Sequence, residues 1–239
     1  MSRVAIAVCD GSYKEAHGTA ALVIEGETSE NRFLGVNVTP GLPEDQSPYR
    51  AELGGIFGAI VTVRCICTLH SVTTGSIVLH CDCDNALKRL FTPHSRLKPK
   101  MPHYDILSAI RFEIEASPLQ WSCCHVYGHQ DDHRSNLSRE EQLNVEMDNL
   151  AKAYWTHTAG HRANPQQRIK GEAWPLWIDG KKITGNFEPA VIDYAGGVCI
   201  RAHWEITQWF PHDTIHNIDW DACYKSNESL KNQQTNLGF

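Results

Sequence analysis

The sequence lacks the features that mark several large classes of protein. No uninterrupted apolar run reaches the ~18 residues that a membrane-spanning helix needs, so no membrane association is expected. The opening residues, MSRVAIAVCDGS, are too short for a secretory signal peptide and contain no small-residue cleavage site before Asp10. No Cys-x-x-Cys pair occurs among the nine cysteines, which argues against a zinc ribbon or a thioredoxin-like motif. We therefore expect an intracellular protein, in the nucleus or the cytoplasm, whose cysteines are small buried residues in a reducing compartment.

Positive charge is also scarce. The chain has 22 Lys and Arg against 28 Asp and Glu, and its net charge of −6 is unusual for a nucleic-acid-binding protein. The exception is residues 85–104, where Lys and Arg occur without any Asp or Glu. Such a stretch suits the phosphate backbone of a nucleic acid, although an ordinary solvated surface would have the same composition.

The hydrophobic pattern predicts a mixed sheet covered by helices. A nearly continuous apolar run at residues 3–9 is typical of a buried central strand, which we expect to end at Asp10. Two further strands, 18–25 and 32–38, would form an antiparallel meander with it. The remaining segments alternate between helix and strand: helix 49–69, strand 77–81, helices 85–91 and 103–116, strand 119–126 and helix 139–158.

The pattern changes after about residue 160. We expect a first domain at residues 1–158, a polar linker at 159–173 and a small α+β extension of unknown role at 174–239. Within the extension, a hairpin with an Asp-Gly turn is predicted near residues 174–183, followed by one helix or two over 189–209. With 41% hydrophobic residues, the chain can build a core of this size.

Four carboxylates stand next to apolar segments, where an isolated charge is costly unless a cation compensates it. They are Asp10, Glu52, Asp82 and Asp148. Carboxylate oxygens at strand ends and on helix turns are the ligands that Mg²⁺ prefers. Together they predict a site for divalent metal.

These acidic residues lie in a series of motifs. The motifs are C-D-G-S at 9–12, Y-R-A-E-L at 49–53, V-L-H-C-D at 78–82, H-V-Y-G-H at 125–129 and L-N-V-E-M-D-N-L-A at 143–151. In their order and spacing the chain from about residue 3 to 158 resembles type 1 ribonuclease H, most closely the version found in reverse transcriptases of retroelements. The resemblance implies an α/β, ribonuclease H-like fold with a five-stranded mixed sheet and helices on both faces. It also implies cleavage of the RNA strand of RNA/DNA hybrids with two Mg²⁺ ions, for which Mn²⁺ can substitute.

The resemblance assigns a catalytic role to five residues. Asp10 would bridge the two ions, and Asp148 would help to hold the ion that activates water. Glu52 and Asp82 would hold the ion at the leaving oxygen. His129 matches the family's mobile histidine, which relays a proton or assists product release.

It also suggests contacts with the nucleic acid. The backbone at Gly11 and Ser12 would read 2′-hydroxyl groups together with Glu52, and Ser47 would hold a DNA phosphate. Arg50 is a candidate backbone contact, and Asn144 is a candidate substrate or supporting contact. The sequence departs from the family pattern at Tyr127-Gly128-His129, where the first residue is commonly Lys.

Three functions remain open from the sequence. The first is an active hybrid-specific endoribonuclease, a monomer that is part or relic of a retroelement and works with a reverse transcriptase domain. The second is a weak or inactive nucleic-acid-binding domain that keeps the fold. The third is another nuclease on this fold, such as an integrase or a resolvase.

Overall fold

The structure is a computed structural model. It describes residues 4–26, 31–92, 96–128, 130, 134, 136–159, 169–172 and 175–207, with side chains up to residue 199. The chain divides into two compact units, residues 1–187 and 188–239. The hairpin that we predicted as part of the C-terminal extension therefore lies within the first unit. Most of the expected linker lies outside the described residues, and the boundary at residue 158 stays a prediction.

The first unit is built on a five-stranded mixed sheet. Its strands are β1 (Val4–Lys14), β2 (His17–Glu25), β3 (Arg32–Val38), β4 (Ser76–Cys81) and β5 (Gln120–His125). They lie in the order β3-β2-β1-β4-β5, with β1–β2 and β2–β3 antiparallel and β1–β4 and β4–β5 parallel. This is the mixed sheet of a ribonuclease H-like fold, and the predicted fold class is confirmed.

The described part of the chain contains five α-helices. They are α1 (Pro48–Leu69), α2 (Asp84–Phe91), α3 (Tyr104–Glu115), α4 (Arg139–Thr158) and α5 (Phe187–Thr207). The first four confirm the predicted helices within one or two residues. Ser138 caps α4 with the reciprocal Glu141 contact that its sequence predicts, so this helix begins where expected. Helix α5 is continuous through the Gly196-Gly197 pair, at which we had left a break open.

Strand β1 is longer than predicted. It continues past Asp10 to Lys14 because β2 pairs with it over this whole length. The two strands are joined by Glu15 and Ala16, which both have positive φ, as a two-residue hairpin turn requires. Neither residue is Gly, Asn or Asp, so the sequence contains no ordinary signal for this turn. Asp10 therefore lies within a strand and not at its end.

The two faces of the sheet are covered by different helices. Helix α1 buries Leu53, Ile56 and Ile60 against one face, and α4 buries Leu143 and Met147 against the other. Among the described residues α1 is also the one helix that is long and apolar enough to cross a bilayer. Its packing in the core accounts for this composition.

Glycines let α1 lie close to the sheet. A Cβ atom at Gly58 would be 2.9 Å from the Leu22 side chain, and one at Gly55 would be 3.3 Å from the carbonyl oxygen of Asp10. A side chain at either position would therefore crowd the sheet.

A buried ion network ties a short hairpin to the first unit. The hairpin consists of β6 (Leu176–Ile178) and β7 (Lys181–Ile183). Lys182 on β7 is almost fully buried, and its Nζ lies 2.8 Å from Glu172 and 3.4 Å from Asp105. Asp105 in turn accepts two hydrogen bonds from Arg50 at the start of α1, at 2.9 and 2.8 Å. Residues beyond 158 thus complete a network that begins on α1.

The network predicts that two adjacent lysines differ in their effect on stability. Removing one member of a buried ion pair leaves the other uncompensated, so Lys182→Met should lower the free energy of unfolding by about 3 kcal/mol. Lys181→Met breaks only an exposed pair with Glu44 and should leave that free energy almost unchanged. Urea denaturation of both full-length variants measures the difference. Equal midpoints for the two variants would contradict the structural role of Lys182.

Candidate metal centre

The register of two parallel strands brings the first two carboxylates together. Strands β1 and β4 are paired as far as Val8 and His80. Asp10 and Asp82 each stand two residues beyond this last pair, so they lie at the same level of the sheet. Two residues is also one full side-chain repeat, which points both side chains to the face covered by α4. Asp10 is 5% exposed, and Asp82 is half-buried.

Glu52 comes from α1, on the opposite face of the sheet. It can reach the cluster because Gly11 has no side chain. A Cβ atom at Gly11 would lie 2.5 Å from both the backbone carbon of Ala51 and the backbone nitrogen of Glu52. Strand β1 and helix α1 are therefore in direct backbone contact at this point. The carboxyl group of Glu52 is hydrogen-bonded to that of Asp10.

Asp148 reaches the cluster from α4. Its charge acts on the carboxyl group of Asp10, as does that of Asp82. The Asp148 side chain is 20% exposed and accepts a hydrogen bond of 2.6 Å from Lys152, one turn later on the helix. The four carboxylates that the sequence singled out therefore converge, one from each of four elements or their ends.

Burial and mutual repulsion disfavour the charged form of this cluster. Burial, followed by the charges of Asp82 and Asp148, raises the pKa of Asp10 from 3.8 to about 8. A hydrogen bond of 2.7 Å from the Gly11 amide acts in the opposite direction and lowers this pKa. Burial, followed by the neighbouring Cys81, Asp10 and Asp82, raises the pKa of Glu52 well above its ordinary value. A bound cation would relieve both effects.

The donor set fits a divalent metal ion. Asp10, Glu52, Asp82 and Asp148 offer hard carboxylate oxygens, which suit Mg²⁺ and Mn²⁺. Gly128 keeps the space beside Asp82 open, since a Cβ atom there would lie 2.6 Å from the Asp82 Oδ2 atom. These are the residues that would hold metal. The backbone of Asp82 is fixed by His125, whose Nε2 lies 3.0 Å from the Asp82 carbonyl oxygen.

Cys81 is a candidate metal ligand that sequence reasoning missed. Its thiol was expected on the face opposite Asp82 and without a role in a metal site. The Sγ atom is fully buried and donates to Glu52 Oε2 at 3.8 Å. Ligand atoms of Glu52, Cys81 and Asp82 all lie within 4.8 Å of one another. Sequence reasoning could have found Cys81 from strand alternation. Its thiol points to the face that α1 covers, and Glu52 approaches the sheet from that face.

The cysteines as a group do not follow the expectation of general burial. Cys9, Cys67 and Cys81 are buried. Others are exposed at the surface: Cys65, Cys124 and Cys199.

The predicted nucleic-acid contacts have mixed positions. Gly11 and Ser12 are half-buried on β1 beside the cluster, and Ser12 lies two residues after Asp10 on the same face. The hydroxyl of Ser47 caps α1 by accepting from the Arg50 amide at 3.0 Å, and it lies 3.3 Å from His103 Nε2. These positions leave their predicted roles as predictions. His129 lies outside the described residues.

Two of the expected contacts are buried. Arg50 is 0% exposed. Its guanidinium group donates hydrogen bonds to the Asp105 carboxylate and, at 2.7 Å, to the Pro40 carbonyl oxygen. Although burial alone would raise it, Arg50 holds the pKa of Asp105 below its ordinary value. This burial contradicts the prediction that Arg50 contacts a nucleic-acid backbone. Asn144 is 2% exposed, which likewise contradicts a direct substrate contact and leaves a supporting role on α4.

Similarity to known proteins is found among solved structures. No protein-family model and no curated protein matches the chain. Among solved structures, it is similar to ribonuclease H1 from Halobacterium salinarum, with 17% identity and a TM-score of 0.42 over 64% of this chain and 98% of that one. It is also similar to LC11-RNase H1, solved in complex with an RNA/DNA hybrid, with 10% identity and a TM-score of 0.45 over 62% and 94%.

A viral protein is among the other similar structures. This is the prototype foamy virus protease-reverse transcriptase, with 15% identity and a TM-score of 0.42. The match covers 68% of this chain and 21% of the viral one.

The contact at Gly11 predicts a specific steric effect. Gly11→Ala places a methyl group against the backbone of α1, so the free energy of unfolding should fall by about 1–3 kcal/mol or more. Gly196→Ala is the matched control, because no heavy atom lies within 4 Å of a Cβ there and alanine favours a helix. Chemical denaturation of both variants measures the effect. An unchanged stability of Gly11→Ala would show that β1 and α1 are not in backbone contact.

The raised pKa of Asp10 predicts a pH-dependent stability in the absence of metal. The folded chain retains a proton that the unfolded chain releases between about pH 4 and pH 8, so stability falls as pH rises through this range. Asp10→Asn removes the contribution of Asp10 to this dependence and should raise Tm at pH 8 by about 3 °C or more, the shift that roughly 1 kcal/mol gives a chain of this size. Thermal unfolding in a chelator, with Glu146→Gln on α4 as control, tests the effect. Parallel pH profiles for Asp10→Asn and the parent would refute it.

Proposed function

We propose that this chain cleaves the RNA strand of RNA/DNA hybrids at the acidic cluster, with divalent metal as cofactor. The observation that carries the proposal is the convergence of Asp10, Glu52, Asp82 and Asp148 from distant parts of the sequence. The sheet order and the five motifs around these residues support it. A buried group of four carboxylates has little structural value on its own, because its members repel one another.

The chemistry requires an aligned nucleophile and compensation of the charge that develops on the phosphate. Bound Mg²⁺ would supply an activated water and would stabilise the leaving oxygen. The chain supplies rigid oxygen ligands on strands and helices. Asp10 is proposed as the shared ligand, because the carboxyl groups of Glu52, Asp82 and Asp148 all act on it. His129 is proposed to relay a proton near the scissile phosphate.

Selection of a hybrid would depend on the RNA strand beside the cluster. An RNA-containing duplex presents its 2′-hydroxyl groups in a wide minor groove. Gly11 and Ser12 lie next to Asp10 on β1, where their backbone groups can contact these hydroxyls. Ser47 is proposed to contact the DNA strand at the start of α1. The basic stretch 85–104 supplies positive charge that an acidic chain otherwise lacks.

The resemblance to the retroelement version extends the proposal to the protein's context. We infer that the chain acts inside the cell, as part or relic of a retroelement, together with a reverse transcriptase domain. In this setting a ribonuclease H would remove the RNA strand of a hybrid made by the polymerase.

A cleavage assay tests the proposed activity. The full chain with Mg²⁺ should cut an end-labelled RNA/DNA hybrid, leave double-stranded DNA intact, and stop cutting when a chelator is added. Asp10→Asn and Asp148→Asn should each lower the rate about a thousandfold or more, because several kcal/mol of transition-state stabilisation depends on the bound metal. Denaturing gels resolve the products.

The control for these variants is Glu146→Gln, which removes a partly exposed carboxylate from α4 two residues before Asp148. It should cut at the parent rate. If the parent binds the hybrid without cutting it, the chain is the inactive nucleic-acid-binding domain. If Asp10→Asn cuts as fast as the parent, the assigned site is wrong.

A further inference from the structure

The acidic cluster contains one ligand that Mg²⁺ does not use. Cys81 ends β4, directly before Asp82, and its thiol is oriented toward Glu52. Its Sγ atom and one carboxylate oxygen each from Glu52 and Asp82 form a group whose members all lie within 4.8 Å of one another. Thiolate sulfur binds soft and borderline cations such as Cd²⁺ and Zn²⁺, whereas Mg²⁺ selects oxygen.

The spacing of these three atoms suits a small tetrahedral site. With Zn–O near 2.1 Å and Zn–S near 2.3 Å, neighbouring ligand atoms in a tetrahedron are about 3.5 Å apart. The observed separation between Cys81 Sγ and Glu52 Oε2 is 3.8 Å. This pair is therefore close to the spacing that a tetrahedral site requires.

Both carboxylates of this group also belong to the proposed magnesium site. We propose that Glu52, Cys81 and Asp82 bind a thiophilic divalent cation, Zn²⁺ or Cd²⁺, which excludes Mg²⁺ from the same carboxylates. The competition with Mg²⁺ rests on the proposed function, but the thiophilic site itself does not. On binding, the thiol releases its proton to solvent and a sulfur–metal bond replaces the S–H bond, with no change in oxidation state.

The buried position of Cys81 favours this site over the surface cysteines. Cys65, Cys124 and Cys199 are exposed, and in the described part of the chain none of them is grouped with two further metal ligands. Cys81 is the last residue of strand β4, and its thiol contacts Glu52 of helix α1. A cation at this site would meet three donors at once, and it would also reduce the repulsion between the carboxylates.

Absorption spectroscopy with Cd²⁺ provides a test that does not depend on cleavage. The full chain is first prepared with Cys65, Cys124, Cys199 and Cys223 replaced by Ser, to remove other thiols that could bind. One equivalent of Cd²⁺ should then give the ultraviolet charge-transfer band of a cadmium–thiolate bond. Adding Cys81→Ser should abolish the band. An excess of Zn²⁺ should displace the Cd²⁺ ion and so remove the band. Cys123→Ser, a half-buried cysteine on β5, should leave the band unchanged.

The outcomes separate this inference from the proposed function. A band that survives Cys81→Ser, or no band in the starting chain, overturns the inference; Cys81→Ala, with circular dichroism to verify folding, guards against misfolding of the serine variant. Asp148→Asn should keep the band while hybrid cleavage is lost, since Asp148 is not in this group. If the band behaves as expected but the parent never cuts a hybrid, the proposed function fails and the thiophilic site remains.

Discussion

One backbone contact sets the geometry on which the acidic cluster depends. Gly11 on β1 lies directly against the Ala51–Glu52 peptide of α1, and this contact brings a carboxylate from one face of the sheet to those on the other. The carboxylates repel one another and resist burial, so they do not hold themselves together. The fold does so, through the packing of α1 and α4 on opposite faces. The cluster therefore lowers the stability of the fold as long as no cation compensates its charges.

Much of the fold could be predicted from the sequence because its strands and helices have clear hydrophobic periods. The parallel pairing that aligns Asp10 with Asp82 follows from two apolar strands that each lead into an acidic residue. The sequence failed at the turn between β1 and β2. Glu15 and Ala16 adopt positive φ although neither is a glycine. The pairing of β1 with β2 continues up to Lys14 and His17, and this imposes the two-residue turn. Tertiary pairing there overrides local preference.

The site was predictable in its acidic residues and less so in their surroundings. A motif fixes which residue occurs at a position but not the partner that it finds across the fold. Arg50 was expected at the surface, yet its partner Asp105 lies 55 residues away and both are buried. Cys81 was placed on the face away from Asp82, and this alternation is correct for a strand. What the sequence could not reveal is that α1 delivers Glu52 to that same face.

The buried network at Lys182 has a consequence for how the protein is made. During translation, Arg50 and Asp105 emerge from the ribosome long before Glu172 and Lys182 are synthesised. The emerging chain can thus assemble its sheet and helices while one end of the ion network still lacks its last partners. Final closure of the first unit waits for the hairpin β6–β7, so the consolidation of α1 follows the synthesis of Lys182.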